Sequence, residues 1–134
     1  MFQIRVLNRE TGKKSGIGSG FIVDNGLKVA TNFHVISQII TEPERFTISY
    51  LSKNGRSGPL KLLGLDIAHD LALLGSESPL GQANKMSALP PKGSTIFAMG
   101  NPLDLGLTIA VGTNGGILNQ TDDSRILFSG SLNP

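Results

Sequence analysis

Cysteine is absent from this 134-residue chain. No disulfide framework can hold the fold together, and both a reducing cytosol and a disulfide-free exported protein fit the composition. Charge is scarce as well: Asp, Glu, Lys and Arg make up 16%, and the formal net charge of +2 comes from scattered cations. The isoelectric point is near 9.2, yet no basic stripe with interleaved aromatics is present, so nucleic acid is not an expected partner. No apolar run approaches the length of a membrane span, and residues 1–10 lack the apolar core of a secretion signal. The expectation is a cytosolic protein or one whose leader is not part of this sequence. Internal repeats and low-complexity segments are also missing.

What is present is turn chemistry. Seventeen glycines and seven prolines are spread among 39% hydrophobic residues, which suits many short strands joined by tight turns and disfavours both disorder and long helices. Alternation of apolar and polar residues predicts strands over residues 2–7 and 46–51, with further apolar runs at 60–65 and 71–74. Asp24-Asn25-Gly26 sits between the apolar runs 20–23 and 27–30 and predicts a β-hairpin. About six short antiparallel strands by Gly75 can close into one small barrel. Residues 77–93, with Pro79, Gly81, Pro90 and Pro91, read as a connection. Strands are predicted again over 94–99, over 107–118 as one long strand or a broken pair, and over 125–129. The expected organisation is therefore a barrel over 1–76, a connection over 77–93 and a second β unit over 94–134.

The hairpin runs into a histidine. Thr31 and Asn32 are suited to bonding free backbone N–H groups, so residues 33–36 are predicted to form one short helical turn, continued briefly before Glu42-Pro43-Glu44. That turn holds His34 at the mouth of a strand. Asp66-Ile67-Ala68-His69-Asp70 is a second polar cluster, and a metal site there would need a third and fourth ligand that the spacing does not supply. Asp66 is read as a turn or ion-pair residue and His69 as exposed. Gly16-Ile17-Gly18-Ser19-Gly20 looks like a phosphate-cradling loop, but a strand and turn follow it where a helix would be needed. These glycines are instead expected to let the backbone turn tightly into a buried strand.

Gly18-Ser19-Gly20-Phe21, Ala30-Thr31-Asn32-Phe33-His34-Val35, Asp70-Leu71-Ala72-Leu73-Leu74 and Gly100-Asn101-Pro102 occur in this order. Together they resemble the trypsin-fold serine endopeptidases of the HtrA-like bacterial branch, over most of the chain from Gly16 to Pro134. The resemblance implies an all-β fold, a double antiparallel β-barrel whose second barrel is incomplete here. It implies His34 as general base and Asp70 as the carboxylate that orients it. The attacking serine would lie in a Gly-x-Ser-Gly-Gly motif just beyond Pro134, so this chain alone should be inert. Ser129-Gly130 is only a partial look-alike, lacking the flanking glycines that shape a nucleophile turn. By the same resemblance Ser131 lines the pocket for the residue before the scissile bond, favouring small or apolar side chains. The loop from Gly100 to Gly106 either adjoins the oxyanion hole or is an ordinary proline turn. An exported location, a polypeptide substrate and no cofactor are implied. Open strand edges should be met by the missing C-terminal half or by self-association. The rival expectation is a non-catalytic peptide-binding or scaffold protein on the same fold.

Overall fold

The computed structural model describes residues 1–100, 108–120 and 123–130. Its first unit is a closed antiparallel barrel of six strands: β1 (Phe2–Asn8), β2 (Lys14–Val23), β3 (Lys28–Thr31), β4 (Phe46–Ser52), β5 (Ser57–Asp66) and β6 (Leu71–Gly75). The strand order around the barrel is β1-β2-β3-β6-β5-β4. Closure leaves no free edge in this unit. Alternation in the sequence matches the pleat: Phe2, Ile4 and Val6 of β1 face inward with Phe46, Ile48 and Tyr50 of β4, and Val29 and Leu74 meet them from β3 and β6.

One helix, α1 (Phe33–Thr41), follows β3 and plugs an end of the barrel with Val35 and Ile36. Its extent agrees with the turn over 33–36 and its continuation up to Glu42-Pro43-Glu44 expected from the sequence. Tertiary packing supports so short a helix: Ile36 is fully buried, and removing such a side chain from water contributes about 1.5–3 kcal/mol.

The glycines of residues 16–20 correct a second expectation. They do not turn the chain into a strand; they lie within β2, where Gly16, Gly18 and Gly20 pair with Val6, Ile4 and Phe2 of β1. A Cβ at Gly16 would stand 2.9 Å from the Val35 carbonyl oxygen, one at Gly18 would collide with the Val35 side chain, and one at Gly20 would stand 2.6 Å from Val29. Missing side chains, not unusual backbone angles, are what the site requires. At Gly16 and Gly18 they let α1 lie directly on β2.

The hairpin between β2 and β3 forms as expected, with a four-residue loop. Val23 pairs with Lys28, and the left-handed positions fall at Asp24 (φ 58°) and Gly26 (φ 88°). Gly26 also receives the connection, since the Leu80 N–H donates to its carbonyl oxygen at 2.8 Å. Leu80 is buried in the barrel core. Part of the segment read from sequence as a plain connection thus completes the first unit's packing.

Beyond it lies a three-stranded antiparallel sheet in the order β7-β8-β9, made of β7 (Thr95–Gly100), β8 (Thr108–Gln120) and β9 (Asp123–Gly130). Residues 107–118 were expected as one long strand or a broken pair. From Thr108 on they belong to one strand, with a register shift between Asn114 and Ile117, where Gly116 takes φ 106°. Asn114 is buried: its side-chain amide donates to the Pro90 carbonyl oxygen at 2.8 Å, and its Oδ1 accepts the Gly116 N–H at 2.9 Å. One polar residue thereby fixes both the bulge and the end of the connection. On one face of this sheet Phe97, Met99, Ile109 and Val111 are exposed, with Phe97 paired to Val111 and Met99 to Ile109.

The packing of α1 on β2 predicts a contrast measurable by denaturant unfolding. Gly18→Ala should lower stability by about 1–3 kcal/mol through overpacking against Val35. Gly64→Ala, whose Cβ would meet open space, should change it by less than about 0.5 kcal/mol.

Candidate active site

His34 stands in the first turn of α1, and Asp70 stands immediately before β6. The two come together because β3, which leads into α1, pairs directly with β6. Thr31 lies opposite Ala72, so the chain leaving β3 and the chain entering β6 are neighbours. His34 Nδ1 and Asp70 Oδ2 are 2.6 Å apart. The other carboxylate oxygen, Oδ1, accepts the His34 backbone N–H at 2.8 Å.

That second bond has a consequence for the helix. The first N–H groups of a helix have no partner within it and are usually met by a side chain just before the helix starts. Asn32 occupies that position but makes no such bond. Asp70 replaces it from a distant strand: its carboxylate takes the His34 N–H and its backbone carbonyl takes the Phe33 N–H at 3.1 Å. The expected capping role of Thr31 and Asn32 is therefore corrected. The Thr31 hydroxyl donates to the Ser19 carbonyl at 2.8 Å, and the Asn32 amide donates to the Asp70 carbonyl at 2.9 Å. Both side chains serve cross-strand contacts because the cap is already supplied.

The bond from the His34 side chain, with the His34 backbone N–H second, holds the Asp70 carboxyl below its ordinary value of 3.8, against an opposing effect of partial desolvation. Asp70 is thus ionised throughout the neutral range. An ionised carboxylate can only accept, so the proton on the shared edge belongs to His34 Nδ1. In the neutral ring Nε2 then carries the lone pair, the arrangement needed to withdraw a proton from a nucleophile. The His34 side chain is 70% exposed, so this nitrogen has access to an incoming group.

Asp66 and His69 form a separate pair at the turn from β5 to β6. Asp66 Oδ1 accepts the His69 N–H at 3.2 Å, and the His69 Nδ1–Asp66 Oδ2 separation is 2.9 Å. Asp66 is both a turn and an ion-pair residue, and His69 is half-exposed. No group of three or more His, Cys, Asp or Glu side chains suited to a metal gathers among the described residues. Ser129, the partial look-alike, lies within β9 opposite Thr113. Ser131 and residues 101–107 of the proline loop lie outside the described residues. What sequence reasoning missed is Asn32 as a partner of Asp70. Its signal was present, an Asn directly before the helix, but the same signal points first to capping.

Comparison with known proteins shows the family and the fold. The family described as "Trypsin-like peptidase domain" matches residues 18–134. Protease Do-like 5 of Arabidopsis thaliana chloroplasts is 32% identical over 123 residues, covering 82% of this chain and 37% of that protein. A probable periplasmic serine endoprotease DegP-like of Rickettsia conorii is 37% identical over 112 residues, covering 77% and 20%. The crystal structure of Deg5 superposes with a TM-score of 0.76 at 26% identity, over 98% of this chain and 68% of that one. An HtrA-type protease, AlgW S227A with a tripeptide, shares the fold with a TM-score of 0.79 at 21% identity, over 99% and 43%. This chain belongs to the trypsin-like peptidase family, and its relatives are Deg/HtrA serine proteases. It spans well under half the length of these two curated relatives.

The lowered carboxyl fixes a pH dependence. Asp70 binds its proton less readily in the folded state, so its contribution to stability is complete above pH 3.8 and is lost as pH falls through the lower folded value. Asp70→Asn should remove that acid-side dependence while leaving the neutral-to-alkaline slope unchanged, as read from unfolding curves across pH.

Proposed function

We propose that this chain carries the base and the orienting carboxylate of a serine endopeptidase. The observation that supports this most is the double engagement of Asp70 with the His34 ring and the His34 backbone, which fixes the ring's position and tautomer together. His34 Nε2 would take the proton of a serine hydroxyl as it attacks a peptide carbonyl and return it to the leaving amine. Asp70 would remain ionised and stabilise the imidazolium. The serine and its oxyanion hole belong to residues following Pro134 in a longer protein, in keeping with the greater length of the relatives. Ser131 would line the pocket for the residue preceding the scissile bond, and with no acid there the preference is for small or apolar side chains. This chain by itself would bind polypeptide weakly and cleave none.

The longer protein provides the test. It should react with a fluorophosphonate and hydrolyse unfolded polypeptide, and His34→Ala should lower kcat by at least about 1,000-fold with little change in KM. Absence of both labelling and hydrolysis in the parent would overturn the reading in favour of a scaffold that retains the fold without the chemistry.

The exposed apolar face of β7 and β8 supports a proposal about association. In the longer protein, residues after Pro134 would cover Phe97, Met99, Ile109 and Val111; the isolated chain would bury them against a second copy. Sedimentation of the isolated chain should show oligomers, and Phe97→Glu should shift them towards monomer. An isolated chain that is monomeric with full amide protection over β7–β9 would contradict it.

A further inference from the structure

Asp70 takes φ 56°, one of only two non-glycine residues among those described with a positive φ. L-residues visit this region rarely, and Asp does so where local bonds hold it. Here the bonds come from both sides. On the N-terminal side, Asp66 closes the turn: its two carboxylate oxygens accept the His69 N–H and the His69 Nδ1–H, and the Asp70 N–H donates to the Ile67 carbonyl at 3.1 Å. On the other side, the Asp70 carbonyl oxygen accepts both the Phe33 N–H and the Asn32 amide. Were the backbone of Asp70 to relax to negative φ with the turn 66–70 in place, rotation about N–Cα would swing its carbonyl and its carboxylate together away from the start of α1.

We propose that Asp66 and Asn32 are positioning residues that clamp Asp70 from opposite sides in its left-handed conformation, so that one residue presents both its carbonyl and its carboxylate to His34 and the helix start. Neither touches a reacting atom. Asp66 acts through the turn 66–70, and Asn32 acts through the Asp70 carbonyl. The inference rests on the reading of His34 and Asp70 as a working pair but concerns their geometry, and it can be tested in this chain without any cleavage assay.

Amide exchange and carboxyl titration followed by NMR provide that test. In Asp66→Ala and in Asn32→Ala, the Phe33 and His34 amides should exchange about tenfold faster, while Ile4 and Ile48, within the barrel strands β1 and β4, keep their parent rates. The Asp70 carboxyl, followed through its carbon-13 shift, should titrate nearer the ordinary aspartate value as its bonds to His34 loosen. Asp66→Asn keeps an oxygen for the His69 N–H and should restore part of the protection. Either alanine variant that leaves both readouts at parent values overturns the assignment for that residue. Faster exchange spread evenly over the barrel overturns the proposal, since it would mark a general stability element. Should Asp66→Ala fail to fold, Asp66→Asn decides for that residue and Asn32→Ala for the other. Because no hydrolysis is read, a negative result here leaves the proteolytic reading standing, and an inactive longer protein leaves this one standing.

Discussion

A carboxylate at the end of one strand closes the start of a helix that follows another, and the candidate site depends on that closure. Asp70 meets the free N–H groups of Phe33 and His34 and the His34 ring at the same time. A helix start favours negative charge, because its unpaired N–H groups and the helix dipole both point at it. The bond that orients the imidazole is thus reinforced by one that anchors the element carrying it. The carboxylate cannot leave the ring's reach without also uncapping α1. An exposed His–Asp pair held only by its charges would contribute little and would wander, since surface pairs are screened by solvent. Backbone anchoring is what makes this one geometrically defined.

The barrel supplies the frame for that closure. Antiparallel pairing of β3 with β6 brings the two chain segments side by side, and the buried Val29 and Leu74 hold the register from within. A slip of one residue would turn these side chains outward and carry Asp70 off the helix start. On the far side of α1, absent side chains at Gly16 and Gly18 let Val35 settle onto β2. Packing density therefore reaches the site from two directions, one through the core and one through the strand surface.

The second unit has a different character. Among the described residues, nothing covers one apolar face of its three strands, and its outer strands β7 and β9 each have a strand neighbour on one side only. Asn114 joins this sheet to the connection by a buried amide, so the sheet has a defined attachment even where it has no defined cover. The barrel can close on itself. The sheet cannot, and its surface invites further chain.

By itself the sequence determined the strand rhythm of the barrel, the hairpin at Asn25-Gly26, and the two residues, His34 and Asp70, that the fold would unite. The rhythm and the hairpin depend on periodicity and turn chemistry within a few residues, which a linear reading captures, while the pair is what the resemblance to the HtrA-like peptidases implied. Only the tertiary structure decided that Gly16 and Gly18 make room for Val35, and that Asn32 binds Asp70 in place of capping its own helix. Each of these turns on a contact between residues far apart in the chain, up to 38 positions for Asn32 and Asp70. A local signal states what a residue is able to bond; which partner it receives is settled by the strands that bring the candidates together.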